Sequence, residues 1–150
     1  MDESLSTTIE KTIKWAMAQL GSDTYMFRCL AFVEDAYEIA NRVEIFGGST
    51  AKESAEEYGV QKEPLTPPIG AFVFFDMSGT LFDTYKNWGH VGLSLGDGRV
   101  IHAWDKVRID GYLDVEKLQE ASGWTPPQYI GWTPVNRIFV GYRKKAQDEK

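Results

Sequence analysis

The sequence predicts an α+β domain, with N-terminal helices packed on a small antiparallel β-sheet. Three observations lead there. Apolar residues recur at helical spacing through the first sixty positions. Short apolar runs bounded by Gly, Pro and Asp then replace that spacing. Gly96-Asp97-Gly98 joins two of these runs closely enough for a hairpin, which only antiparallel strands can form.

Each element has its own signal. Thr7-Thr8-Ile9-Glu10 reads as a capping box that starts a helix, with Ile9, Ile13, Ala16, Met17 and Leu20 as its apolar face and Gly21 as its stop. Residues 22–27 form a short loop. A second helix runs from about Cys29 to Asn41 on a stripe of Leu30, Val33, Ala36, Tyr37 and Ala40. Gly47-Gly48 breaks the chain, Thr50 and Glu53 cap a third helix, and Gly59 ends it.

Pro64, Pro67 and Pro68 make a stiff connector. Ala71 to Phe75 is a buried strand, followed by a long polar loop. His90 to Leu95 and Arg99 to Trp104 are the hairpin arms, and Lys106 to Asp110 adds a strand. Asp114 caps a short helix to about Ser122. The Trp124 to Pro134 stretch reads as an irregular aromatic loop, Ile138 to Arg143 as a last strand, and the lysine-rich tail as frayed.

Bulk properties narrow the function. One domain over residues 1–150 suits this length, and 43% apolar residues fill a core. A net charge of −6 without a basic stripe excludes nucleic acid and disfavours anionic membranes. There is no apolar run of the roughly 20 residues a membrane span needs. Met1-Asp2-Glu3-Ser4 lacks a secretory pattern, so a soluble chain, cytoplasmic or released by another route, is expected. One cysteine cannot form an internal disulfide. The oligomeric state is not legible.

The candidate chemistry is thiol-based. The chain has one Cys, Cys29, and two His, His90 and His102. A thiol nucleophile needs a base, and the base needs a third group to hold its ring. Cys29 opens a helix, whose dipole favours a thiolate, so ready alkylation near neutral pH is expected. A two-residue Asp97-Gly98 turn would put the histidines on opposite sheet faces. A three-residue turn with Gly98 left-handed pairs Leu95 with Arg99 and Gly92 with His102. Both imidazoles then share a face as diagonal neighbours, and Gly92 leaves room for a ring. The three-residue turn is the better sorted.

Arg28 is a candidate for a substrate carboxylate. Trp104, with Trp124, Trp132 and Tyr129, is a candidate groove wall. A metal site from Cys29, His90, His102 and Asp105 lacks the close ligand pairs of structural zinc. The chemistry needs no metal or organic cofactor.

Cys29-Leu30-Ala31-Phe32-Val33, Pro68 to Phe75, Gly89 to Gly98 and Ile101-His102-Ala103 together resemble the NlpC-type cell-wall peptidases over roughly Trp15 to Ala103. The resemblance implies a papain-like fold, with Cys29 as nucleophile, His90 as base and His102 as orienting residue. It also implies a peptide or peptidoglycan substrate, cut at an amide bond of a stem peptide. Related CHAP amidases share the Cys-then-Gly-His-Val order but usually end in a carboxylate or amide, so Ile101-His102-Ala103 favours the NlpC type. Such proteins usually carry Asp before the cysteine and Ser-Gly after it, to hold a free amine. Here Arg28 precedes and Leu30-Ala31 follow, and Tyr25 is the nearest match to an upstream substrate-binding tyrosine. Two alternatives stand beside the hydrolase: an inactive peptide- or cell-wall-binding domain on this fold, and an acyltransferase or thioesterase. In many of the latter His precedes Cys.

Overall fold

The computed structural model describes residues 3–146. Helices α1 (Glu3–Ala18), α2 (Cys29–Asn41) and α3 (Ala51–Tyr58) come first. Between α2 and α3 lies a two-residue strand, β1 (Val43–Glu44). Eight further strands follow: β2 (Phe72–Asp76), β3 (Ser78–Leu81), β4 (Thr84–Asn87), β5 (His90–Ser94), β6 (Arg99–Ala103), β7 (Val107–Gly111), β8 (Gln128–Thr133) and β9 (Arg143–Lys144). A 3-10 turn, Asp114–Lys117, separates β7 from β8, and α4 (Val135–Ile138) precedes β9.

The main sheet has five strands in the order β7-β6-β5-β2-β8, and every pairing is antiparallel. Side-chain alternation gives it two buried faces. Phe72, Phe74, Val91, Leu93 and Ile101 face the helices and join Phe32, Val33, Ala36 and Tyr37 of α2. Val73, Phe75 and Val100 face the other way, against Val115 and Trp132. The α+β architecture of helices on an antiparallel sheet is therefore as the sequence predicts.

The β5–β6 hairpin adopts the three-residue turn. Leu93 pairs with Ile101, Ser94 with Val100, and the Leu95 N–H donates to the Arg99 carbonyl. Gly98 has φ +90°, the left-handed conformation that this turn requires and glycine tolerates. Gly92 lies over His102, where a Cβ would stand 3.1 Å from the His102 Cβ. At α3, the Thr50 hydroxyl accepts from the Glu53 N–H at 3.1 Å.

Several elements differ from expectation. The first helix already runs from Glu3, so Thr7 lies inside it; its buried stripe is Ile9, Thr12 and Ala16, with Met17 and Leu20 exposed. Asn41 of α2 donates to the Thr12 hydroxyl at 2.8 Å, which satisfies this polar position. The polar loop after β2 is the β3–β4 hairpin. The aromatic loop contains β8, paired directly with β2. The helix expected to reach Ser122 is only a 3-10 turn. In place of the last strand, α4 buries Val135 and Ile138, and β9 pairs with β1. Residues 147–150 of the tail lie outside the described residues.

Gly92 gives a direct test of the register. Gly92→Ala forces the added methyl against His102 and Val100, and overpacking of this kind costs about 1–3 kcal/mol. Urea denaturation should show that loss with an unchanged slope. A substitution that stabilises by the roughly 0.4–1 kcal/mol of an unhindered glycine-to-alanine change would mean that no side chain lies over Gly92.

Candidate functional site

Two strands and one helix start position the site. His90 opens β5 and His102 lies near the end of β6, on the sheet face turned away from α2. Both imidazoles are buried. His90 Nε2 stands 2.8 Å from His102 Nδ1, so the pair is directly hydrogen-bonded. His102 Nε2 stands 2.8 Å from the Asp110 carboxylate on β7. Arg108 donates to the same carboxylate from Nε at 2.9 Å and from a terminal nitrogen at 3.3 Å. Burial alone would raise the Asp110 carboxyl, but the bonds from His102 and Arg108 outweigh it and hold it below the usual carboxylate value. Burial, and then the neighbouring His102, push His90 well below its ordinary value, so its resting ring is neutral.

Cys29 is half-buried at the first residue of α2. Arg28, in the cap position, makes no side-chain cap, so the helix start keeps backbone N–H groups available. Backbone hydrogen bonds from Val91, Leu30 and Cys29 itself favour a thiolate, but burial is stronger and pushes the thiol up to about 11. Burial thus works against the low-pKa, readily alkylated thiolate that the helix start favours. Among the described residues no hydrogen bond joins the sulfur to His90.

Cys29 and His90 nevertheless line one cleft of about 520 Å³. Its walls are mainly apolar, with Phe27, Phe82, Trp88, Trp104 and Trp124 as the aromatic part. Phe27 and Phe82 are 67% and 89% exposed, and both hold positive φ, at 62° and 52°. A non-glycine residue there is strained.

The sequence-predicted residues separate clearly. Trp104 walls the His90 ring edge-on, with centroids 5.2 Å apart. Arg28 lines the cleft and lays its guanidinium over the Tyr25 ring at 5.4 Å. Tyr25 itself does not line the cleft. It packs in the core beside Trp15 and Phe32 and donates its hydroxyl to Asp35 at 2.6 Å. Trp132 and Tyr129 lie outside the cleft as well, in the cluster on the far sheet face. Asp105 lines the cleft rim and pairs with Arg108 at 3.4 Å. Among the described residues, no group of three or more His, Cys, Asp or Glu could hold a metal ion.

Two residues escaped the sequence reading. Asp110 was legible only as a strand end; its signal is its place two pairs beyond His102↔Arg108, opposite Val100 and on the same side of the neighbouring strand as Arg108. Glu34 lines the cleft one turn into α2, and burial, Glu38 and Asp35 push its carboxyl up to about 7.

Residues 15–127 match the NlpC/P60 family model, and the chain belongs to that family. The papain-like fold implied by the sequence resemblance is thus the family's own. Among solved structures the chain is similar to RipD from Mycobacterium tuberculosis, described as a non-catalytic NlpC/p60 domain protein adapted to a peptidoglycan-binding function. Identity is 16%, the TM-score is 0.52, and the match covers 85% of this chain and 97% of RipD. A comparison with curated protein sequences finds no significant match. No helix among the described residues is long and apolar enough to cross a membrane.

Two predictions follow from the protonation states. A buried neutral His90 means that this site binds fewer protons in the folded protein than in the unfolded chain below about pH 6.5, so its contribution to stability falls as pH falls. The slope from this group approaches about 1.4 kcal/mol per pH unit. Glu34, pushed up to about 7, contributes in the opposite sense over the same range, so the test is the difference between two proteins. On acidification from pH 7.5 to 5 the urea midpoint should fall further in the parent than in His90→Asn, and an equal slope in the variant would count against a neutral buried ring. Iodoacetamide should label folded Cys29 more slowly at pH 7.5 than the unfolded chain, with a rate that climbs toward alkaline pH. A plateau near neutrality would mean that a thiolate is already present.

Proposed function

We propose that this NlpC/P60 domain binds a peptide of the peptidoglycan type in the cleft between the start of α2 and the start of β5. The observation that carries the reading is the joint lining of that cleft by Cys29, His90 and Trp104 in a chain of this family. A concave, mainly apolar site with a few convergent polar groups is the form ligand sites take. The neutral thiol and the likeness to a non-catalytic, peptidoglycan-binding domain support binding as the primary property.

One observation favours a second reading, hydrolysis of an amide bond in the bound peptide. Behind Cys29 stands a complete hydrogen-bonded series, His90 to His102 to Asp110. In that reaction His90 takes the Cys29 proton and the sulfur bonds to the amide carbon. His90 returns the proton to the leaving amine as the C–N bond breaks, leaving a thioester. Water then cleaves the thioester, with His90 accepting one of its protons, and acid and thiol are regenerated. Bound peptide would displace water from the cleft and bring the sulfur and ring together, a change the resting geometry leaves to be made.

Co-sedimentation with purified peptidoglycan, followed by mass spectrometry of the soluble fraction, tests both readings. Parent and Cys29→Ala proteins are expected to bind alike. Trp104→Ala, which removes the cleft wall, is expected to bind about tenfold more weakly, the loss of about 1.4 kcal/mol. Fragments released by the parent but not by Cys29→Ala establish hydrolysis; binding without fragments by either establishes a binding domain. Failure of the parent to bind overturns the proposal.

A further inference from the structure

We propose that Asp110, fixed by Arg108, is a positioning residue: it sets the direction of the protons along the imidazole pair and leaves Nδ1 of His90 as the lone-pair nitrogen. This rests on the cleft as the working site but requires no turnover.

Arg108 can only donate. Its Nε and a terminal nitrogen bond both oxygens of Asp110. The same Asp110 oxygen that takes the Arg108 Nε–H also faces His102 Nε2 at 2.8 Å. An ionised carboxylate can only accept, so the His102 proton must lie on Nε2. In a neutral ring His102 Nδ1 then carries the lone pair, and the His90 nitrogen 2.8 Å away must donate to it. That nitrogen is Nε2 of His90, which leaves its Nδ1 unprotonated. The polarity runs one way, from His90 to His102 to Asp110, with Arg108 closing the far end.

The competing arrangement has His102 doubly protonated and donating from Nδ1 to His90. Charge balance disfavours it. Asp110 already takes two hydrogen bonds from Arg108, so an imidazolium at this fully buried position would have to share that carboxylate with the guanidinium and would lack a counter-charge of its own. The one further carboxylate in contact, Asp105, is exposed and bonds Arg108. Trp104, lying against both imidazoles, supplies only ring contacts. Asp110 therefore dictates which nitrogen of His90 can take a proton, although it touches neither His90 nor the cleft.

The chain has two histidines, so 15N-histidine labelling of the full-length protein yields two ring systems that His90→Asn assigns. At pH 7.5 the parent is expected to show both rings neutral, with protonated Nε2 and unprotonated Nδ1. Asp110→Ala should abolish that single pattern, moving nitrogen shifts toward the Nδ1–H form in at least one ring. If Asp110→Ala does not fold, Asp110→Asn replaces it: its amide both donates and accepts, and mixed tautomers are expected. A parent spectrum with Nδ1–H on His90, or with a doubly protonated His102, overturns the proposal. So does an unchanged pattern in the folded variant. Loss of peptide binding with the Nε2–H pattern intact would sink the functional reading and leave this one standing.

Discussion

Two imidazoles buried side by side present four ring nitrogens, and each buried polar atom must find a partner or cost free energy. Three of the four are matched here: His90 Nε2 with His102 Nδ1, and His102 Nε2 with Asp110. The fourth belongs to the ring that lines the cleft beside Cys29. The surrounding structure serves that arrangement. The Gly96–Gly98 turn sets the register that puts both rings on one face, Gly92 clears the space over His102, and β7 brings Asp110 and Arg108 alongside. A one-residue slip would send His90 or His102 to the helix-facing side and strand the carboxylate.

The thiol end of the site is less prepared than the imidazole end. Three backbone hydrogen bonds favour a thiolate at Cys29, yet burial outweighs them. His90 is likewise held neutral. Neutral thiol beside neutral imidazole is the low-cost state of a partly desolvated cleft, because a thiolate–imidazolium pair would have to offset the desolvation of two charges. A ligand that alters the dielectric or the geometry of the cleft therefore acts on both groups at once. The strain at Phe27 and Phe82 lies on the cleft rim, where two exposed rings in the left-handed region frame the entrance.

The sequence made some parts of this legible and hid others for physical reasons. Helix α2 and the cap of α3 were readable because period and capping residues agree within one segment. The β5–β6 register was readable because only one turn length sorts apolar from polar side chains. Strand β8 was hidden by Pro126-Pro127, which suggests a loop but is compatible with the start of an edge strand. Helix α4 was hidden by a β-branched run whose burial follows a spacing of three, Val135 and Ile138, while Val140 is exposed. Tyr25 looked like a site residue only as the nearest match to the upstream tyrosine that the family resemblance implies; in space its ring belongs to the Trp15–Phe32 core. Asp110 was hidden because its partner, His102, is eight residues away and meets it only through strand pairing.

The two ends of the site also differ in how they treat charge. Around His102 the charged groups are held by direct contacts: Arg108 pairs with both Asp110 and Asp105. In the cleft the balance is looser. Arg28 is drawn toward the Tyr25 ring, while Glu34, pushed up to about 7, is neither firmly charged nor firmly neutral near pH 7. With Arg28 before the cysteine, and Leu30 and Ala31 after it, the helix start offers a cation and apolar surface where the family resemblance implies groups for holding an amine. Glu34 lines the same cleft about one turn deeper along α2, so the cation and the carboxyl stand at different depths. The imidazole half of the site is thus rigidly specified by its own hydrogen bonds. The cleft half takes its character from residues held by fewer fixed partners.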